Sequence, residues 1–330
     1  MFQDLLLPPD AACAKMDALG AENIPFFFMA NAWAEQWIVL PCAEAQAQGF
    51  YWDLNGMGNL ERIAPPAQVQ FEVTIPSFQN YKTAFSRVNR AQRAGDCWLA
   101  NLTFPSFVNT NLSVREMAQA ANASFRLYAA GHFAVFSPER FVSISKNGEI
   151  ATFPMKGTID ASVPHASEKI LSDEKEQAEH VTIVDLLRND LGRIAKGVHV
   201  PQYRFLTQVH SQGKTLLQVS SEVRGHLNQN WPAQLGQIFR ALTPAGSVTG
   251  APKKRTVELI REAEIYDRGW YTGVFGCFDG HRVDSAVMIR FLEQSSSGRS
   301  IYKSGGGITI YSDPVAEYEE LEAKVYAPFG

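Results

Sequence analysis

Cysteine is scarce in this chain, and what there is sits apart. Cys13, Cys42, Cys97 and Cys277 form no CxxC pair, so neither a disulfide framework nor a thiolate zinc site is expected, and buried free thiols in a reducing compartment are. No apolar run is long enough to span a bilayer: the most apolar stretch, Ile24 to Leu40, is broken by Asn31, Glu35 and Gln36. The first residues hold no basic segment ahead of an apolar one, so no secretory signal is expected and the cytoplasm is the expected compartment. Positive charge is not in excess either. Thirty Lys and Arg against 34 Asp and Glu leave a net charge of -4, which lacks the basic footprint of a nucleic-acid binder but leaves room for a few placed cations that hold a small anion. Internal repeats, low-complexity tracts and long Gly/Ser/Pro linkers are absent, so the 330 residues could form one large mixed sheet-and-helix body.

What is present suffices for a large core, at 45% hydrophobic and 11% aromatic residues. Short strands are expected at Pro25 to Met29 and Trp37 to Leu40, with a tight turn at Asn55-Gly56. Ser77 caps a helix that places Phe78, Tyr81, Phe85 and Val88 on one face and stops at Gly95. A strand follows from Cys97 to Phe104, then a helix opened by the capping box of Ser113 and Glu116. Strands are expected at His132 to Phe136, Phe141 to Ser145 and Glu149 to Phe153, the last two joined by a turn at Lys146-Asn147-Gly148. Ser172 to Asn189 reads as one helix, capped by Ser172 or Asp173, and strands are expected at Phe205 to Val209 and Thr215 to Val223.

The chemistry is placed first at Phe153-Pro154-Met155-Lys156-Gly157-Thr158. Lys156 stands just past a strand end, beside a glycine that lets backbone approach a ligand, and burial would favour the neutral amine that a nucleophile needs. Gly246-Ser247-Val248-Thr249-Gly250-Ala251-Pro252-Lys253 leads into a helix running to about Ile265, with Pro252 at its first position and amides free for an anion. Its spacing departs from GxxxxGK[ST], which excludes a nucleotide phosphate loop. Gly305-Gly306-Gly307 lacks the GxGxxG spacing and the helix of a dinucleotide site. The last helix is capped by Asp313, begins at Pro314, and carries Glu317, Glu320 and Lys324 along one stripe. That stripe reads either as an exposed ion-pair row or as carboxylates holding a hard cation, magnesium rather than zinc, beside a substrate-binding lysine.

From Ser77 onward the chain resembles the chorismate-utilising enzymes, most closely the aminodeoxychorismate synthase component I branch. The resemblance is carried in order by Gly95-Asp96-Cys97-Trp98-Leu99-Ala100-Asn101-Leu102-Thr103, Ser137-Pro138-Glu139-Arg140-Phe141, Pro154-Met155-Lys156-Gly157-Thr158, and Glu179-His180 with Asp185-Leu186-Leu187-Arg188-Asn189-Asp190-Leu191. It continues through the segment from Gly246 to Lys253, then Gly305-Gly306-Gly307-Ile308 leading to Ser312-Asp313-Pro314 and Glu317-Tyr318-Glu319-Glu320. It implies a chorismate-binding α+β fold of large, mainly antiparallel sheets flanked by helices, with the active site in a central cleft. Residues 1–76 would be an abbreviated N-terminal region packed on a catalytic domain of residues 77–330.

The resemblance also implies roles. Lys156 would attack C2 of chorismate as the C4 hydroxyl departs, protonated by Glu139 as general acid. Ammonia would then attack C4 and expel the lysine, giving 4-amino-4-deoxychorismate for 4-aminobenzoate and folate biosynthesis. Glu179 and Glu320 match Mg2+ ligands, with Glu317 close by through water. Arg290 and Lys324 match the binders of the substrate carboxylates, Tyr271 is their neighbour, and backbone at Thr158 and at Gly305, Gly306 and Gly307 completes an anion cradle. Relatives that make anthranilate carry alanine at the position of Lys156. Those that make isochorismate or salicylate carry a water-activating lysine where this chain has Leu99. Gln218 stands where most relatives have a histidine, and it can hydrogen-bond a hydroxyl or carboxylate without exchanging a proton. No glutaminase motif is visible, so a separate glutamine amidotransferase subunit, component II, is the expected ammonia source. Isochorismate or anthranilate formation, or a non-catalytic chorismate-binding subunit, are the rival readings.

Overall fold

Phe26–Ala30 is five successive apolar residues, and all five are buried. Side chains alternate across a strand, so this run needs cover on both faces. It has it: Phe26, Phe28 and Ala30 join one apolar cluster while Phe27 and Met29 join another. The computed structural model, which describes residues 2–211, 214–294 and 299–329, builds the whole molecule on this principle. Two nine-stranded sheets lie face to face, and the paired strands are antiparallel throughout the described residues.

In order, the first sheet runs Met155–Asp160, Lys214–His226, Glu149–Thr152, Arg140–Ile144, Val283–Val287, Val274–Phe278, Phe26–Ala30, Trp37–Pro41, with Lys196–Ser211 also pairing to Lys214–His226. The second runs Gly250–Ala251, Leu99–Thr110, Ser300–Ile308, Phe291–Gln294, Phe133–Ser137, Phe125–Ala129, Phe50–Leu54, Met57–Gly58, with Phe71–Thr74 on Leu99–Thr110. Residues 26–58 therefore supply strands to both sheets. The layer between the sheets is aromatic, with Phe27 stacked on Trp52 at 4.9 Å and Phe133 on Phe291 at 4.7 Å. Helices cover the outer faces. Pro9–Ala21 and Leu235–Leu242 close the first sheet, Val114–Ala120 the second, and Phe78–Arg93, Lys253–Ala263 and Pro314–Ala323 its far end.

Several expectations are met at the level of single caps. Ser77 accepts from the Asn80 amide, Ser113 and Glu116 form the reciprocal capping box, and Asp313 accepts from Val315 and Ala316. Asn55 and Gly56 both take positive φ, as a tight hairpin turn requires. Others are corrected. Pro9–Ala21 is a helix where only strands were expected; its buried stripe is Ala12, Met16 and Gly20, too small to register as an apolar face. The helix expected from Ser172 to Asn189 is two, Ala166–Ser172 and Glu174–Gly192, broken at Asp173, whose carboxylate accepts from the Glu176 amide. The strands near Phe205 and Thr215 extend to a long hairpin, Lys196–Ser211 and Lys214–His226. Pro252 is the N-cap of Lys253–Ala263, and Gly250–Ala251 is a short strand on Leu99 and Ala100, not a free loop. All four thiols are free, Cys13 and Cys42 only half-buried, and Cys42 Sγ lies 3.4 Å from Cys277 Sγ. Among the described residues no helix is long and apolar enough to cross a membrane.

Candidate active site

Lys156 lies inside a strand rather than past one. Pro154 turns the chain at the end of Glu149–Thr152, and Met155–Asp160 then pairs further along the same neighbour, Lys214–His226. The pairing shifts register between Met155 and Thr158, and between them Gly157 takes φ +88°. Only glycine adopts that value without strain, and a bulge of this kind re-aims the adjoining side chain. The Lys156 ammonium therefore points into a cleft, with Nζ 3.6 Å from Glu179 Oε2, a residue of the Glu174–Gly192 helix.

That cleft, of about 520 Å³, lies where the edge of the first sheet meets the last strand and last helix of the second. Lys156, Thr158 and Glu179 line one side; Arg290, Gly307, Glu317, Glu320 and Lys324 line the other. Glu176, which sequence reasoning gave no role, lines it too. A larger groove of about 850 Å³ runs past Trp98, Val181 and Tyr203 but holds none of these residues, so we place the chemistry in the smaller one.

Each cation is held in place. Arg290 adopts φ +53°, an uncommon conformation for a non-glycine residue and typical of constrained functional positions. Its Nε donates to Tyr326 Oη at 3.2 Å, with the guanidinium 5.5 Å from the tyrosine ring centroid. Lys324 Nζ lies 2.6 Å from Glu320 Oε1 and donates to the Gly305 carbonyl at 2.9 Å. Burial holds its amine below the usual lysine range, opposed by Glu320.

The three glycines follow from strand geometry. Gly305 and Gly307 stand opposite Thr103 and Asn101 in the ladder. The Thr103 amide donates elsewhere, to Glu264 Oε1, and the Asn101 amide to the Thr249 carbonyl. These are thus the non-hydrogen-bonded pairs, so the backbone groups of Gly305 and Gly307 turn to the opposite edge, left open beyond the Phe291 to Lys303 pairing. The Gly306 amide faces Leu102 in the ladder instead. A methyl group at residue 307 would stand 2.9 Å from Lys156 Nζ and 3.1 Å from Leu99 Cδ1.

Glu139 sits in the turn between Phe133–Ser137 and Arg140–Ile144, half-buried, and is not part of the cleft surface. Burial pushes its carboxyl above the usual range, against a hydrogen bond from the Ser247 hydroxyl to Oε1 and the charges of Lys156, Arg290 and Lys324. Sequence reasoning gives Ser247 no role of its own; its hydroxyl is what orients this carboxyl. The bidentate pair of Arg140 with Asp284, at 2.8 and 2.9 Å, fixes the strand that follows.

His180 is the other residue whose role sequence reasoning missed. It is fully buried, its Nε2 lies 2.6 Å from Ser221 Oγ, and that hydroxyl also accepts from the Arg204 amide. The Ser221 amide donates to the Pro154 carbonyl at 3.0 Å, so the cluster braces the strand that carries Lys156. Burial, with Arg204 beside it, pushes the imidazole down to about 4, and it is neutral. Beneath the glycine strand, fully buried Arg268 binds Glu264 and the carbonyls of Val248 and Asn101. It joins the Ser247 loop to the strand opposite Gly307.

Tyr271 and Gln218 lie off the cleft surface. Tyr271 is core, 5.8 Å from the Phe291 ring, and burial pushes its phenol above the ordinary value. Gln218 stands opposite Thr158 in the ladder, and its carbonyl accepts from the Thr207 hydroxyl. Among the described residues, no three His, Cys, Asp or Glu side chains form a ready metal-binding group. Two of the three expected ligands are instead engaged by ammonium groups, Glu179 by Lys156 and Glu320 by Lys324.

This is a fold and a cleft of one known class: residues 48–330 match the model of the chorismate binding enzyme family, and the chain belongs to it. Among relatives, an uncharacterised PabA-like protein of Pasteurella multocida is 44% identical over 96% of this chain and 98% of its own. Aminodeoxychorismate synthase component 1 of Klebsiella aerogenes is 31% identical over 81% of this chain and 62% of its own. Of solved structures, anthranilate synthase component I from Streptococcus pneumoniae superposes with a TM-score of 0.67 at 27% identity, covering 81% of this chain and 60% of that one. A 2,3-dihydroxybenzoate-specific isochorismate synthase from Bacillus anthracis reaches 0.70 over 97% of this chain and 87% of its own, at 20% identity, which speaks to the fold alone.

Proposed function

We propose that this protein is the chorismate-aminating component of an aminodeoxychorismate synthase. The observation that carries the reading is the position of the Lys156 amine, in a cleft whose other cations, Arg290 and Lys324, suit a dicarboxylate. Where a water-activating lysine would favour isochorismate, buried Leu99 presents a methyl group beside Gly307 and Lys156. Leucine cannot deprotonate water, and alanine, the residue of anthranilate formation, is absent at 156.

In this reading the neutral Lys156 amine adds to C2, both ring double bonds move one position towards C4, and the C4–O bond breaks. Glu139, whose carboxyl burial raises above the usual range, gives its proton to the departing hydroxyl, which leaves as water. Ammonia then adds at C4, both double bonds return to their first positions, and the C2–N bond to Lys156 breaks. In sum, chorismate and ammonia become 4-amino-4-deoxychorismate and water.

The donor set suits magnesium: hard carboxylate oxygens, with Glu317 and Glu320 oxygens each 3.7 Å from one point above Gly306 and Glu179 on the facing wall. We assign Glu179, Glu320 and Glu317 to it; the ion would offset the charge of the ring carboxylate. Ammonia is supplied in this reading by a glutamine amidotransferase partner subunit.

The test is incubation of purified protein with chorismate, magnesium and ammonium, followed by product mass and a search for an adduct on the Lys156 peptide. Lys156→Ala should abolish both. Undiminished ammonia incorporation by that variant refutes the reading.

A further inference from the structure

The cleft carries three cations, and they are not held alike. Lys156 and Lys324 each stand beside a carboxylate, Glu179 and Glu320. Among the described residues no carboxylate is ion-paired with Arg290, whose neighbours are phenols: Tyr326 Oη accepts from its Nε at 3.2 Å, and Tyr302 and Tyr271 lie close by.

Tyr326 comes from the last residues of the chain. Beyond the Pro314–Ala323 helix, Val325 is buried in the apolar cluster of Leu112, Met117 and Leu292, and Phe329 packs on the same cluster. The Pro328 carbonyl accepts from the Asn122 amide at 2.8 Å. Tyr326 lies between these anchors and reaches the cleft wall from a fixed base. Opposite it, the Arg290 carbonyl accepts from the Phe136 amide at 2.9 Å. Both backbones are thus tied down independently of the contact between the two side chains.

A guanidinium is flat, so an acceptor on Nε and an aromatic ring 5.5 Å from its centre settle the direction of its terminal nitrogens. A carboxylate at residue 326 would give the same alignment but would offset the charge. A phenol is uncharged at neutral pH, so it aligns the fork and leaves the positive charge for an anion entering the cleft. We propose that Tyr326 is the positioning residue of Arg290, and that its being a phenol sets how strongly the cleft takes a carboxylate substrate. The inference rests on the reading above only for its placement of a chorismate carboxylate at Arg290, and not on the amination step.

The test is the dissociation constant of chorismate, by calorimetry with magnesium present, in a Lys156→Ala background where no lysine adduct forms. Tyr326→Phe keeps the ring and removes the acceptor, and should weaken binding about fivefold, the worth of one hydrogen bond. Tyr326→Gln and Tyr326→Glu differ mainly in charge, and the glutamate variant should bind roughly tenfold more weakly than the glutamine variant because its carboxylate pairs with Arg290. Thermal unfolding of the three without chorismate separates this effect from packing. Unchanged affinity in Tyr326→Phe overturns the proposal, as does equal affinity in the glutamine and glutamate variants. A loss of affinity that follows the loss of melting temperature across all three also overturns it and makes Tyr326 a packing residue of the chain end. Protein with Lys156 intact that binds chorismate yet forms no aminated product refutes the amination reading and leaves this one standing; protein that binds no chorismate ends both.

Discussion

The three glycines opposite Leu99–Thr110 offer a graded test, because a methyl group added at each meets something different. None of the three has positive φ, so alanine is permitted by the backbone, and removing glycine's freedom in the unfolded chain is mildly favourable. At Gly307 the added carbon would stand 2.9 Å from Lys156 Nζ, where ordinary contact begins at 3.4 Å. The obstructing atom is the far end of a flexible side chain, so the amine retreats by ~0.5 Å and the fold survives. A misplacement of about 1 Å costs on the order of a hundredfold, so Gly307→Ala should lose roughly tenfold in kcat with little change in melting temperature. At Gly305 the added carbon would stand 2.4 Å from the Leu102 carbonyl, which is backbone and cannot step aside. Gly305→Ala should therefore cost about 1–3 kcal/mol of stability by overpacking. Gly306→Ala meets nothing closer than 3.5 Å and serves as the control for folding. Turnover with chorismate and ammonium, beside thermal unfolding of all three, decides the matter. Wild-type turnover in Gly307→Ala, or a melting temperature below that of Gly305→Ala, would refute the idea that glycine is there to clear the amine.

Two titrating groups give predictions of opposite sign. Glu139→Gln should lower ammonia-dependent turnover by on the order of a hundredfold or more. Because burial raises the folded pKa of Glu139 above 4.5, its contribution to stability is fully present below pH 4.5 and is lost as pH rises through the folded value. The variant should therefore be more stable than wild type at pH 8, with the gap closing toward pH 4.5; a constant gap across denaturant titrations would contradict the shift. His180 falls from 6.5 to about 4 on folding, so its contribution is present above pH 6.5 and is lost as pH falls toward 4, by about 3 kcal/mol in all. His180→Gln should flatten that acid-side decline, and unfolding curves that fall in parallel between pH 6.5 and 4 would show that another group is responsible.

Local signals in the sequence were strongest where a single side chain decides a backbone event. Ser77, Glu116 with Ser113, Asp313 and the Asn55-Gly56 turn each act within four residues of themselves, and each does what its chemistry dictates. The helix at Pro9–Ala21 escaped because its packing relies on closeness, not apolar bulk. A methyl group at Gly20 would lie 1.9 Å from the Pro232 carbonyl oxygen, and one at Gly236 would lie 2.2 Å from that of Cys13. Such contact is invisible to a pattern that counts large apolar residues. The expected strand stops at Phe153, whereas the long Lys214–His226 strand pairs with chain on both sides of the corner at Pro154, a tertiary fact with no local trace. In the cleft, charged residues were legible as types in motifs, but the roles of Ser247 and His180 were not. Their work is done through Glu139 and Ser221, 108 and 41 residues away.

The placement of Lys156 explains why so much distant structure is needed for one amine. A lysine side chain carries about 2 kcal/mol of rotamer entropy and holds no fixed position unaided. Here its base is set by the bulge at Gly157, which a side chain could not occupy without meeting Glu176 and Ile170 at 3.1 and 3.2 Å. Its strand is braced through Ser221 and His180, its tip is drawn by Glu179, and the space beside the tip is kept clear by Gly307. These restraints come from both sheets and from the helix between them, so the reach of the amine is fixed only once the two halves have docked. A lysine presented on a surface loop would keep its freedom of motion. Placed in this cleft, it loses much of that freedom before any substrate arrives.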